Sequence, residues 1–129
     1  MILGLGSDLV NVERIRRSLD SLGERWVNKV LVREEIERAT AWNDAIYIAK
    51  LFAAKEACSK ALGTGMSDGV RWHDFEIVLP NKAIFSNNAH RRLNEISVNA
   101  QQSHVFLDVF HRNGLAGAIV VISSSRASR

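Results

Sequence analysis

The chain has 129 residues, 47% hydrophobic and 24% charged, which suits one compact domain with its own core. No apolar run is long enough to span a bilayer, and a single cysteine excludes both an internal disulfide and a multi-thiolate zinc site. Seventeen Lys and Arg against fourteen Asp and Glu leave a net charge of +3, which favours anionic partners without choosing among a nucleotide, an acidic protein and nucleic acid.

The segment MILGLGSDLV has no basic start and no long apolar stretch, so no secretory signal is expected and a cytoplasmic location is. Residues 1–8 read as a short strand ending at Ser7-Asp8, with Gly4 and Gly6 marking a bulge or a close backbone approach. Asn11 can cap a helix to Leu22, whose stripe is Val12, Ile15, Leu19 and Leu22, with Gly23 as its stop. Short helices follow over Trp26–Leu31 and Glu34–Trp42. Asn43 or Asp44 can cap the longest helix, which runs to Leu62 with a stripe of Ile48, Leu51/Phe52, Cys58/Ala61 and Leu62. It is rich in alanine, the strongest helix former, and Gly63 ends it. Cys58 sits at a spacing where a small apolar residue fits a core.

Phe75–Leu79 and Ala83–Phe85 read as strands around a Pro80-Asn81 turn, and Asn88–Val98 as a helix. Val105–Phe110 and Leu115–Ile122 are strands joined through Asn113-Gly114, a strong hairpin signal. The expected whole is a single α+β domain over residues 1–122 with an antiparallel sheet and a long central helix, followed by a frayed tail, 123–129. Trp26, Trp42 and Trp72 are expected to pack inside, leaving no aromatic platform for bases.

Few residues combine into chemistry. Glu56 and Lys60 lie four apart and share a helical face, Ser59 borders it, and Gly63 follows one turn on. With Asp8, which stands where a strand gives way to a helix, they form a set of two carboxylates, a lysine and a glycine loop. Such a set can hold a hard divalent cation together with a phosphate, since magnesium takes oxygen ligands and often only one or two carboxylates. The same residues also read as a surface ion pair worth about 0.3–0.5 kcal/mol and an ordinary helix cap. Arg14 and Arg17 share a face of the first helix, in a stretch that also carries Arg16, Arg25, Lys29 and Arg33.

GLGSD at 4–8, VERI at 12–15, FAAKEACSKALGTG at 52–65 and VRWHDFEIV at 70–78 resemble the holo-acyl-carrier-protein synthase family of phosphopantetheinyl transferases. The resemblance is good over residues 1–79 and looser beyond. It implies transfer of 4′-phosphopantetheine from coenzyme A to a serine of an acyl carrier protein, in fatty-acid synthesis. It also implies a phosphopantetheinyl-transferase fold assembled as a homotrimer, with clefts shared between subunits. Asp8 and Glu56 would ligate magnesium, and Lys60 would approach the phosphates. Ser59, Gly63, Thr64 and Gly65 would line the coenzyme A cleft, and Arg14, with Arg17 beside it, would dock the acidic carrier. Glu56 is the expected general base.

Three features depart from the family pattern. The arginine usual before the Phe of FAAKEA is Leu51 here, with Lys50 one place earlier and so turned by about 100°. The usual Gly-Lys-Pro turn is replaced by Pro80-Asn81-Lys82-Ala83. The Ser/Thr-rich late strand reads HVFLDVFHRNGLAGA, in which His104, Asp108 and His111 are expected at the strand surface. A catalytically weakened homologue and a basic nucleic-acid-binding module are the competing expectations.

Overall fold

The computed structural model describes residues 1–97 and 102–125. Its elements are β1 (Ile2–Asn11), α1 (Val12–Leu22), α2 (Glu24–Val30), α3 (Arg33–Arg38), α4 (Ala45–Ala61), β2 (Phe75–Val78), β3 (Lys82–Phe85), α5 (Asn87–Ile96), β4 (Gln102–Arg112) and β5 (Leu115–Ser125), with a 3₁₀ turn at Trp72–Asp74. The three long strands form an antiparallel sheet in the order β1-β5-β4, and β2 and β3 pair separately as a hairpin. The α+β architecture expected from the sequence is therefore present.

Local signals hold where the sequence placed them. The Asn11 side chain accepts from the Glu13 N–H and caps α1, and the Asp44 side chain accepts from Tyr47 and caps α4. Asn113 and Gly114 both take positive φ, which a two-residue hairpin loop between right-twisted strands requires. Boundaries moved where long-range pairing overrode local polarity. β1 does not stop at Ser7-Asp8, because Asp8 pairs with Ala118 and the ladder runs on to Asn11 opposite Leu115. Asp8 thus sits inside a strand. β5 continues through Ser125, where Ser124 exchanges hydrogen bonds with Met1, so residues 123–125 belong to the sheet and only 126–129 of the expected tail lie outside the described residues. The α3 helix stops at Arg38, because the Arg38 guanidinium reaches across to the Ile77 carbonyl at 3.1 Å and Glu76 at 3.0 Å and Ala39 turns extended. Trp42 therefore falls in a loop and is 43% exposed, contrary to the packing role expected of it. Val98, the expected end of α5, lies outside the described residues.

The core forms where α4 lies on the inner face of the sheet. Ile48, Ala49, Leu51, Ala53, Ala57 and Cys58 are all buried, so the helix is enclosed on more sides than its expected stripe accounts for. Burial pushes the Cys58 thiol up to about 12, as befits a packing residue. Two glycines set the strand-to-helix distance. A Cβ on Gly4 would lie 1.9 Å from the Ala61 carbonyl oxygen, and one on Gly6 would lie 2.0 Å from that of Ala57. The backbones of β1 and α4 are thus in direct contact. On the far side of α4, Phe52 is stacked between Trp26 and Trp72, with ring centroids 5.9 and 4.9 Å away.

One charged pair is enclosed in this core. Lys55 and Glu35 are both fully buried. Lys55 Nζ donates to Glu35 Oε1 at 2.6 Å, to the Val30 carbonyl at 2.7 Å and to the Trp72 carbonyl at 3.3 Å. Glu35 also accepts from the backbone N–H groups of Val32 and Ile77. Burial pulls the Lys55 pKa down, and the Glu35 carboxylate opposes the shift. This cluster ties α2, α3, α4, the 3₁₀ turn and β2 together.

Two expectations follow. Gly6→Ala forces a backbone to move, and is expected to destabilise the protein by about 1–3 kcal/mol, read as a lowered urea midpoint with unchanged slope. Glu35→Ala strands a buried ammonium and two backbone donors, and is expected to cost about 3–5 kcal/mol in the same assay.

Candidate active site

Gly4, Gly6, Asp8 and Val10 share one face of β1 by the two-residue period of a strand, and that face is turned toward α4. The close approach permitted by the two glycines is what brings Asp8 to the helix. Lys60, on the last turn of α4, donates from Nζ to Asp8 Oδ1 at 3.0 Å and to the Ser7 carbonyl at 3.1 Å. Lys60 thus pairs with Asp8 on the neighbouring strand, and the intrahelical Glu56–Lys60 bridge does not form.

Glu56 lies one turn before Lys60 and is half-buried. Its carboxyl pKa is raised, first by burial and then by the Asp8 charge, while Lys60 and Arg14 pull the other way. Asp8, Lys60 and Arg14 therefore all act on Glu56, although the four come from β1, α4 and α1. Two half-hidden carboxylates with a lysine at hand form a hard-oxygen set. Among the described residues no three His, Cys, Asp or Glu gather into a metal cage. A divalent ion held here would take its remaining ligands from water or from a substrate's phosphates, and that requirement suits magnesium.

The loop after α4 is tightly wound. Gly63 takes φ +80°, and the N–H groups of Thr64 and Gly65 both donate to the Ser59 carbonyl. Gly63 and Thr64 line a cleft of about 270 Å³ whose other wall is α5, with Asn88, Arg91 and Arg92. Arg92 Nε donates to the Leu62 carbonyl at 3.0 Å and so closes the C-terminal end of α4. Ser59 is not in that cleft. It is fully buried within this chain, with its hydroxyl donated to the Glu56 carbonyl. Gly65 is half-buried and absent from the cleft lining, and Lys60 faces Asp8 instead. The cleft's α5 wall went unread in the sequence. Its signal is the Arg91-Arg92 pair on an otherwise ordinary amphipathic helix.

Leu51 is fully buried, so this chain has no cation at that position, and Lys50 is only half-buried beside it. Asp108 and His111 are exposed on β4 and His104 is half-buried near Phe106, in keeping with strand-surface roles. Arg14 and Arg17 come together along a shallow groove of α1 with Ser18, Ser21 and Leu22.

With this geometry in place, the wider relationships are clear. The family model of the 4′-phosphopantetheinyl transferase superfamily matches residues 4–120, and the chain belongs to that superfamily. Within it, the chain is similar to proteins named holo-[acyl-carrier-protein] synthase. That of Phenylobacterium zucineum is 41% identical over 134 residues, covering 99% of this chain and 96% of its own. That of Maridesulfovibrio salexigens is 39% identical over 122 residues, covering 95% and 98%. Among solved structures, the Helicobacter pylori synthase in complex with coenzyme A superposes with a TM-score of 0.73 at 27% identity, over 92% of this chain and 99% of that one. The Neisseria meningitidis synthase superposes with a TM-score of 0.75 at 28% identity, over 96% and 100%.

The electrostatics make a direct prediction. Glu56 is expected to titrate above its ordinary 4.5 in a carboxyl NMR titration, and Asp8→Asn is expected to lower the midpoint only in part, because burial is the larger cause. A carboxyl whose folded pKa is raised lends stability below its unfolded pKa and loses it as pH rises through the folded one. Glu56→Gln should therefore match the native protein in stability below about pH 4.5 and exceed it at neutral pH.

Proposed function

We propose that this protein transfers the 4′-phosphopantetheine of coenzyme A to a serine of apo acyl carrier protein and releases 3′,5′-ADP. The observation that carries the reading is the Asp8–Glu56–Lys60 constellation, held by a backbone contact between β1 and α4, in a chain about 40% identical to named synthases over nearly its full length.

Asp8 and Glu56 are the residues that would hold magnesium, whose charge, when bound, neutralises the diphosphate. Lys60 is half-exposed on a flexible stem, so its ammonium can turn from Asp8 to a phosphate oxygen at little cost. Gly63 and Thr64 offer a wall free of bulky side chains for the nucleotide end. The carrier serine attacks the β-phosphorus, the new O–P bond forms as the diphosphate P–O bond breaks, and 3′,5′-ADP leaves with the bridging oxygen. Glu56 takes the serine proton, directly or through a water. Its raised pKa supports this role, because a half-hidden carboxylate is a stronger base than an exposed one. Positioning and charge neutralisation do most of the work in such transfers.

Arg14 and Arg17 form part of the carrier's docking surface, and the lack of an ion pair at either among the described residues supports this. A homotrimer with shared clefts is supported by the sheet face turned away from α4, where Leu5 is 67% and Phe106 59% exposed beside Leu9, Phe110 and Ile119. We place the reaction in the cytoplasm, in fatty-acid synthesis. The buried free thiol of Cys58 asks for no oxidising compartment, and among the described residues no helix is long and apolar enough to cross a membrane. A nucleic-acid role is disfavoured because the faces of Phe52 are covered by Trp26 and Trp72.

Mass spectrometry of apo carrier protein incubated with this protein, coenzyme A and magnesium tests the reading. A gain of one phosphopantetheine is expected, and its absence with Asp8→Ala or after chelation. Glu56→Gln is expected to lower kcat by about 100-fold or more while coenzyme A affinity changes little. Equal losses in both would reduce Glu56 to a ligand.

A further inference from the structure

Lys60 has two carboxylates near it and bonds only one. Its ammonium donates to Asp8 Oδ1 at 3.0 Å and to the Ser7 carbonyl at 3.1 Å, so it is seated on two successive residues of β1. Glu56, one helical turn back, forms no ion pair among the described residues. The two partners of the bridge differ in freedom. Asp8 is a ladder residue of β1, paired with Ala118, and its side chain is 17% exposed, whereas that of Lys60 is 48% exposed on a flexible four-carbon stem. When the bridge opens, the lysine moves and the carboxylate stays.

Charge decides what opens it. Asp8 and Glu56 together carry two negative charges, against which Lys60 sets one positive charge and Arg14 of α1 a weaker pull on Glu56. A divalent cation alone balances both carboxylates and makes the ammonium surplus. The two cations also compete, because an ammonium bonded to Asp8 repels any second positive charge that approaches the same carboxylate. A released Lys60 stays close to the site. The Gly63 N–H donates to the Lys60 carbonyl at 3.0 Å, so the lysine stem is rooted where the Gly63–Thr64 wall of the cleft begins. Its ammonium can then meet an anionic group held against that wall.

We propose that Lys60 is a displaceable counter-ion, which holds Asp8 until a divalent cation takes the carboxylate and is thereby freed for the diphosphate of coenzyme A. This rests on the transferase reading above. Metal and coenzyme A then help each other onto the protein through Lys60, because the Asp8–Lys60 bridge opposes both and each gains once the other has broken it. A lysine that merely added positive charge to the site would weaken metal binding equally with and without coenzyme A.

The test is Mn²⁺ binding, read by electron paramagnetic resonance of the free ion, to native protein and Lys60→Met, each with and without coenzyme A and with coenzyme A alone as the blank. Without coenzyme A, Lys60→Met is expected to bind the ion about tenfold more tightly than native protein, and with saturating coenzyme A to lie within about threefold of it. Lys60→Arg, which keeps the charge, is expected to bind the ion no more tightly than native protein. Native protein labelled with ¹⁵N-lysine gives a reading that needs no variant. Mg²⁺ is expected to shift the ammonium resonance of Lys60, while that of Lys55, fully buried in the core, stays fixed. Equal Mn²⁺ affinities without coenzyme A, a tenfold gap that coenzyme A leaves untouched, or a Lys60 resonance unmoved at saturating Mg²⁺ would each overturn the exchange, and transfer by the native protein would leave the transferase reading standing. Asp8→Asn binding Mn²⁺ as tightly as native protein would overturn the metal assignment beneath the proposal, and no transfer by the native protein would overturn the transferase reading itself.

Discussion

The backbone of β1 rests directly on the backbone of α4, and the rest of the molecule is arranged around that contact. Gly4 and Gly6 permit it, because any Cβ there would overlap a helix carbonyl. Two consequences follow from one distance. The sheet can bury its inner face on an alanine-rich helix, with Ala57, Ala61, Ala116 and Ala118 filling a space too shallow for larger side chains. Asp8, two residues along the same strand face, is carried to where a lysine of the last helical turn can reach it. Packing and chemistry are thus settled by the same pair of glycines.

The other side of α4 is governed by charge instead of close approach. The buried Lys55–Glu35 pair bonds four backbone groups, the Val30 and Trp72 carbonyls and the Val32 and Ile77 N–H groups, and none of its polar atoms is left without a partner. Burial of an ion pair stabilises little by itself, but the cost of any arrangement that separates the two groups is large. The pair therefore acts chiefly to select one packing. It sets α2 and the 3₁₀ turn at the spacing that lets Trp26 and Trp72 close on Phe52. Lys55 and Glu56 are neighbours in sequence, yet one faces the core and the other the site.

The electrostatic pattern divides the surface by task. Around Asp8 and Glu56, burial and then the Asp8 charge raise the Glu56 carboxyl, while Lys60 bridges to Asp8. Along α1, Arg16 pairs with Glu13, while Arg14 and Arg17 form no ion pair among the described residues.

Everything governed by neighbours within a few residues was legible in the sequence: the order of elements, the Asn11 and Asp44 caps, the Asn113-Gly114 hairpin, the stop at Gly63 and the motifs that point to the superfamily. Asp8, Glu56 and Lys60 could be singled out as well, because residue type and helical spacing are local properties. What the tertiary structure decided is who meets whom. Lys60 could have paired with Glu56 four residues away, but it pairs with Asp8, fifty-two residues away, because the glycine contact puts the strand nearer. Ser59 borders the Glu56–Lys60 face by sequence, and its flank of α4 is covered, so its side chain is buried. Nothing within a few residues of Lys55 marks it as buried, and it is Glu35, twenty residues distant, that encloses it. β1 and β5 ran past their polar residues because each backbone group there had a ladder partner waiting. Side-chain period fixes a face, and only the packing of distant segments fixes what that face touches.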